Sequence, residues 1–284
     1  MKKLSDCFIL SNNISIPCIG FGTWQISDGD AVIQSIHTAI ETGYRHIDTA
    51  AAYNNEKGVG QAVRSCGLKR EEVFVTSKLW NSQRGYEKTL AAFDQTMANL
   101  QLDYLDLYLI HWTANAKQFG DDWQKINLET WRAFEKLYKE KRIRAIGLSN
   151  FLPHHLEPLL KQAEIAPLVN QIEFHPGYTQ RETVDFCNSH QILVEAWSPL
   201  GRGKLLSEPE LIRIADKHKK SVAQICIKWC LQNGIIPLPK SATASRIKEN
   251  ALIFDFELSD QEIQTIDQLP LCGDSGLHPD KIDF

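Results

Sequence analysis

Short apolar runs rich in β-branched and aromatic residues alternate along this chain with longer stretches of helical periodicity. The runs Cys18–Phe21, Arg45–Asp48, Val73–Ser77, Leu105–Ile110, Ile143–Leu148, Leu168–Ile172, Ile192–Ala196 and Ile235–Leu238 predict eight strands. Between them, Asp30–Thr42, Glu56–Cys66, Glu87–Leu100, Leu128–Lys139 and Glu208–Lys219 predict helices. Asp30 and Asn55 are the expected N-caps, and Gly43 and Gly67 the expected stops. Ahead of the first strand, Phe8-Ile9-Leu10 and Ile14-Ser15-Ile16 flank a polar Ser11-Asn12-Asn13 turn and predict a β-hairpin. Strand alternating with helix implies a parallel sheet with right-handed crossovers. Eight such units imply a closed (β/α)8 TIM barrel, an α/β fold, with the N-terminal hairpin closing its bottom. No linker or low-complexity stretch divides the chain, so residues 1–284 are expected to form one barrel domain. From Pro270 onward the chain reads as a loop-like tail, ordered by packing on the barrel.

The composition narrows the partners. With 31 basic and 35 acidic residues the net charge is −4, which gives no support to a nucleic-acid or membrane-surface partner. Any anion site must therefore be a local cluster. The seven cysteines are odd in number and form no C-x-x-C, so a reducing, cytoplasmic compartment is expected. Cys226 and Cys230 read as neighbours on the packed face of a helix. No signal-peptide core follows Met1-Lys2-Lys3, and no apolar run is long enough to span a bilayer.

In a barrel, chemistry gathers at the carboxyl ends of the strands. Here those ends carry Asp48, Lys78, His111, Ser149-Asn150, Asn170-Gln171, Trp197-Ser198 and Lys240-Ser241. Side chains alternate along a strand, so His46 with Asp48, Phe74 and Thr76 with Lys78, and Leu107 and Leu109 with His111 share faces. One phase thus aims Asp48, Lys78 and His111 into the barrel mouth. A buried lysine requires a carboxylate, and Asp48 is the available one. By itself that pair also reads as a structural seal.

Other motifs are weak. Gly58-Val59-Gly60 is followed by Val63 inside a helix, and Gly201-Arg202-Gly203 by Leu206, so no Rossmann site is indicated. His154-His155 with Glu157 lacks the H-E-x-x-H spacing and reads as a solvated helix start after Pro153; no metal is expected. Ser245-Arg246-Ile247-Lys248 matches S-x-x-K without its supporting elements.

Six segments together are similar to the aldo-keto reductases. They are Gly43-Tyr44-Arg45-His46-Ile47-Asp48-Thr49-Ala50 with Tyr53 and Asn55-Glu56; Thr76-Ser77-Lys78-Leu79-Trp80; Leu105 to Trp112; Ile146-Gly147-Leu148-Ser149-Asn150-Phe151; Val169 to Pro176; and Leu238-Pro239-Lys240-Ser241. The chain most resembles the short bacterial members, the diketo-gluconate reductase-like branch. The resemblance implies reduction of an aldehyde or ketone by NADPH, returning NADP+, with a catalytic tetrad of Asp48, Tyr53, Lys78 and His111. A free tyrosine is a weak acid at neutral pH, and a neighbouring ammonium favours its phenolate. It further implies that Ser149, Asn150 and Gln171 bind the carboxamide, that Trp197 stacks on the nicotinamide, and that Ser198, Leu200 and Gly201 line the pyrophosphate. Lys240, Ser241, Thr243 and Arg246, continuing to Glu249 and Asn250, correspond to the adenosine 2′-phosphate site, with Gly22, Thr23 and Asp48 also on the cofactor side. Trp24, Trp80 and Trp112, with Tyr53 and His111, would wall the substrate pocket. Thr113 stands where the family often has proline, and the loop Thr113–Asp122 is expected to shape specificity with the tail. The short relatives imply a monomer.

Two other functions compete. A barrel glycosidase would use two strand-end carboxylates, for which Glu173 and Glu195 are available, but it leaves Tyr53, Lys78 and His111 without roles. A non-catalytic NADPH-binding regulatory or sensor subunit would keep the cofactor groove and turn over poorly.

Overall fold

The computed structural model describes residues 1–284. An antiparallel hairpin, β1 (Cys7–Ile9) and β2 (Ser15–Pro17), precedes eight parallel strands: β3 (Phe21–Gly22), β4 (His46–Asp48), β5 (Phe74–Leu79), β6 (Leu105–Ile110), β7 (Ile143–Ser149), β8 (Val169–Glu173), β9 (Leu193–Trp197) and β10 (Ile236–Pro237). The helices are α1 (Asp30–Thr42), α2 (Glu56–Ser65), α3 (Tyr86–Leu100), α4 (Ala116–Phe119), α5 (Trp123–Lys139), α6 (Pro153–Leu160), α7 (Arg181–Ser189), α8 (Pro209–His218), α9 (Val222–Gln232), α10 (Ala244–Ala251) and α11 (Asp260–Asp267).

The strands pair in chain order from β3 to β10. Backbone bonds from Gly20 N to Pro237 O and from Gly22 N to Pro239 O, each 3.0 Å, join the first strand to the last and close the ring. The predicted alternation holds along the strands. Leu107, Leu109, Phe74, Ala145, Val169, Ile236 and Leu238 form an inner cluster. Val75, Tyr108, Ile110, Ile146, Leu148 and Val194 face outward into the larger core shared with the helices. Leu10 and Ile16 of the hairpin belong to the inner cluster, so the hairpin is the plug of the barrel floor.

Several boundaries differ from the sequence reading, each for a local reason. The first barrel strand is Phe21–Gly22 rather than Cys18–Phe21, because Cys18 N still bonds back to Asp6 O of the hairpin approach. The last shrinks to Ile236–Pro237, since Pro237 and Pro239 have no N–H to give a ladder. Helix α5 begins at Trp123 rather than Leu128, directly after the Gly120–Asp122 turn. The loop Thr113–Asp122 contains the short helix α4.

The caps also differ. Gly29, at φ 82°, occupies the N-cap of α1, and Asp30 is its first helical residue. Asn55 occupies the N-cap position of α2, as expected, but its side chain bonds elsewhere: its amide holds Thr23 O and Ile26 O, and its oxygen accepts from the Thr49 hydroxyl. Asp28 supplies the missing acceptor to Gly58 N at 2.8 Å. Gly43 does stop α1 in a left-handed conformation, whereas α2 ends at Ser65, two residues before Gly67. A Cβ on Gly60 would collide with the Leu100 carbonyl, so the Gly58-Val59-Gly60 run serves helix packing.

The tail after Pro270 has no regular element, yet it is tied down. Ser275 donates from its N and Oγ to Glu173 at 2.8 and 2.7 Å, and Asn115 Nδ2 donates to Pro279 O and Ile282 O. His154 and His155 each place Nε2 2.9 Å from Asp280 Oδ1. His155 is therefore not solvated, contrary to expectation; it is 2% exposed, and burial pushes its pKa down to about 4. Its Nδ1 accepts from Leu152 N, which leaves the hydrogen on Nε2, an arrangement suited to a carboxylate rather than a metal.

Candidate active site

A cavity of about 1300 Å3 opens over the carboxyl ends of the strands. At its base the β4 and β5 side chains meet. Lys78 Nζ donates to Asp48 Oδ1 at 2.6 Å and to Thr49 O at 2.9 Å, and lies 3.4 Å from Tyr53 OH. Lys78 is fully buried, and only Asp48 and Tyr53 of this trio reach the cavity. Tyr53 sits in a short 3-10 turn, Ala51–Tyr53, which folds back from the end of β4 over the lysine. His111, at the end of β6, stands edge-on to Tyr53 with ring centroids 5.7 Å apart.

The electrostatics give each group a state. Burial alone would depress Lys78, but the Asp48 carboxylate and the phenol outweigh it, and its pKa is raised. Burial pushes the Tyr53 phenol up; Lys78 pulls it partly back. Tyr53 is thus a protonated donor at neutral pH. Burial, with Lys78 and Arg84, holds His111 well below the ordinary imidazole range, so it is neutral and has one N–H to donate.

On the other side of the mouth the strand ends build a flat wall. Trp197 Nε1 donates to Asn150 Oδ1 at 2.8 Å, and Asn150 Nδ2 donates to His111 O and to Ser149 Oγ. The Asn150 amide is thereby committed to fixing the indole plane. Ser149 Oγ donates to Gln171 O, and Gln171 Nε2 donates to Asp48 Oδ2 and Glu195 Oε2, leaving Gln171 Oε1 as an acceptor. Asn150 and Ser198 adopt left-handed backbone at φ 62° and 52°, which turns the chain sharply at two strand ends beside the cavity.

Of the residues picked from the sequence, Gly22, Trp24, Trp80, Trp112, Ser149, Asn150, Gln171, Trp197, Ser198 and Leu200 line the cavity, together with Lys240, Ser241, Arg246, Glu249 and Asn250 at its far end. Thr23, Gly201 and Thr243 do not. Thr23 is buried and donates from its hydroxyl to Asp48 O; Thr243 N is bonded to Ser241 Oγ just before α10; Gly201 packs against Leu205 and Gly273. Glu173 and Glu195 lie outside this cavity, held by Ser275 and Gln171, which deprives the glycosidase reading of its acid and base.

Arg202 and Phe284 are among the lining residues that the sequence reading did not pick. Arg202 sets its guanidinium 4.8 Å from the Trp24 ring centroid and 5.9 Å from that of Trp197. Its place between two glycines in a polar loop was the one available signal. Phe284 stacks on Trp80 at 5.7 Å and 5°, meets Trp112 edge-on, and has its carbonyl held by Asn81 and Gln118. No local pattern links residue 284 to strand ends so distant in the chain. Thr113 is buried; Asn127 binds its hydroxyl and Arg84 its carbonyl, which fixes the course of the loop without a proline.

Known proteins are similar to this chain over nearly its whole length. The chain is 52% identical over 282 residues to the glyoxal reductase of Bacillus subtilis, covering 99% of each. It is 42% identical to the methylglyoxal reductase of Escherichia coli, covering 94% of each. The solved structure of a Bombyx mori aldo-keto reductase in complex with NADP superposes with a TM-score of 0.84 at 36% identity, over 93% of this chain and 92% of that one. The model of the aldo/keto reductase family matches residues 18–270, nearly the whole barrel. The chain belongs to the aldo/keto reductase family.

Proposed function

We propose that this protein reduces small aldehydes and ketones to alcohols with NADPH, using Asp48, Tyr53, Lys78 and His111. The observation that carries this reading is Lys78 Nζ, clamped by Asp48 at 2.6 Å and placed 3.4 Å from a Tyr53 hydroxyl that faces the cavity. When bound, NADPH supplies a hydride to the carbonyl carbon and leaves as NADP+.

The chain's own residues handle the oxygen. As the carbon gains the hydride, the C=O π electrons move onto oxygen, and Tyr53 OH delivers its proton there. Lys78, kept charged by Asp48, stabilises the phenolate left behind. Neutral His111 donates its N–H to the carbonyl oxygen, which polarises and orients it. Trp80, Trp112 and Phe284 exclude water and favour a flat substrate.

The donor set fits the cofactor. Gln171 Oε1 is the acceptor left for a carboxamide, and the fixed Trp197 plane offers a stacking face. A Cβ on Gly22 would meet Leu238 O at 3.3 Å, so glycine keeps that wall close and open. Lys240, Ser241, Arg246 and Asn250 would take the 2′-phosphate end, with Ser198 and Leu200 along the pyrophosphate. Gly201, Thr23 and Thr243 would act from behind, by shaping these walls.

Glyoxal and methylglyoxal, named for two relatives, are the first substrates to try. A monomer is the state that the resemblance to the short bacterial members implies, and seven free cysteines support a cytoplasmic setting. No helix is long and apolar enough to cross a membrane. The test is NADPH oxidation with each dicarbonyl and with none, repeated with NADH. Oxidation that requires the carbonyl and strongly prefers NADPH is expected. Bound NADPH with no carbonyl-dependent oxidation would instead favour a sensor subunit.

A further inference from the structure

Beneath the site, inside the barrel, lies a second carboxyl group. Glu195 of β9 is completely buried, as are His46 of β4 and Lys78 of β5. Gln171 Nε2 donates to Asp48 Oδ2 at 2.9 Å and to Glu195 Oε2 at 2.8 Å, so one amide bridges two carboxyl groups. Glu195 Oε1 has no hydrogen-bond partner. His46 Nε2, 3.9 Å from that oxygen, is bonded to Thr76 Oγ1 at 2.9 Å.

The charges do not balance if both acids ionise. Lys78 is the one cation among these groups, and Asp48 holds it directly. Burial, reinforced by Lys78, drives His46 down to about 3, so it is neutral and cannot serve Glu195. A naked carboxylate oxygen in a dry interior is costly. Burial, followed by the neighbouring Asp48 charge, pushes Glu195 up to about 8.

We propose that Glu195 is a positioning residue for proton transfer: it shares the Gln171 amide with Asp48, and its protonation state sets how much negative charge faces Lys78 and hence how acidic Tyr53 is. The inference rests on the tetrad reading given above. At neutral pH Glu195 is the uncharged acid, and Lys78 answers to Asp48 alone. As pH rises past about 8, Glu195 ionises, and the added negative charge opposes formation of the Tyr53 phenolate. Tyr53 then remains a proton donor to higher pH than it would over a neutral floor. The same group touches the cofactor side, because it fixes the Gln171 amide whose oxygen is left for the carboxamide.

The test is the pH profile of kcat/KM for NADPH-dependent reduction in wild type, Glu195→Gln and Tyr53→Phe. With Glu195→Gln the alkaline limb should move down by about one pH unit, the scale of a lost neighbouring charge. A profile that superimposes on wild type, or is lowered equally at every pH, would overturn the proposal. Tyr53→Phe separates the two readings. If it turns over normally, the tetrad assignment fails; if it is dead while Glu195→Gln keeps the wild-type profile, the Glu195 assignment alone fails.

A second readout needs no turnover. Because Glu195 is protonated in the folded protein and ionised in the unfolded chain above its ordinary range, its burial erodes stability as pH rises towards about 8. Wild-type Tm should fall relative to Glu195→Gln between pH 5 and 8, and the infrared C=O band of a protonated carboxyl should vanish from wild type above pH 8. A wild type with no such band at pH 6 would contradict the proposal even if the variant failed to fold.

Discussion

The two halves of the barrel interior are built by the same strands yet obey different rules. The lower half is Phe74, Leu107, Leu109, Val169 and Ile236, sealed by Leu10 and Ile16 of the hairpin. The upper half is Asp48, Lys78, Gln171, Glu195 and, beside Phe74, His46. Both are dry. Below, burial of apolar surface stabilises the fold without condition. Above, most buried polar atoms have a named partner, Glu195 Oε1 has none, and stability is given up for a group able to deliver a proton. A single strand shows the change: β5 runs from Phe74 in the floor through Thr76 to Lys78 in the mouth.

Substitutions should separate the halves. Lys78→Met should have the largest effect. It removes the one cation beneath the site, so reduction should fall by about two to four orders of magnitude. It also strands Asp48, and urea unfolding should register a loss of about 3–5 kcal/mol. Leu107→Ala, in the floor, should cost about 2–5 kcal/mol in the same unfolding experiment. Its kcat/KM in the folded protein should stay near wild type; a large catalytic loss would mean that floor and mouth are not separable. Phe284→Ala should be mildest. It removes one stacked ring from the pocket wall, so KM for an aromatic aldehyde should rise roughly five- to tenfold, about 1 kcal/mol, with kcat for glyoxal little changed.

The floor was legible from the chain because its strands stand out as short apolar runs, and the alternation of side chains puts Phe74 on the face of Lys78 and Leu107 and Leu109 on that of His111. The mouth was half legible. Asp48, Lys78 and His111 continue that alternation past the last apolar position, so phase alone points them inward. Tyr53 lies in a 3-10 turn beyond the strand, where no periodicity reaches it, and only the family resemblance picked it out. Glu195 was noticed as a strand-end acid, but its bond to Gln171 depends on β8 and β9 lying side by side in register. The cap of α1 was misread by one residue, Gly29 standing where Asp30 was expected; at α2 Asn55 is the N-cap residue, but a tertiary contact, Asp28 to Gly58, took over the side-chain bond that local sequence suggested. The tail was legible only as a loop. Its anchoring through Ser275, Asp280 and Phe284 is made of contacts that no local signal encodes.

The most direct test of the central claim is Tyr53→Phe, assayed for glyoxal reduction beside a fluorescence titration with NADPH. The phenol hydroxyl makes one contact inside the protein, to Lys78, and the ring stays. The account predicts that NADPH binds with nearly unchanged affinity while reduction falls to background. Wild-type-like reduction by this variant would show that the proton comes from elsewhere, and the roles given to Lys78, Asp48 and Glu195 would fall with it.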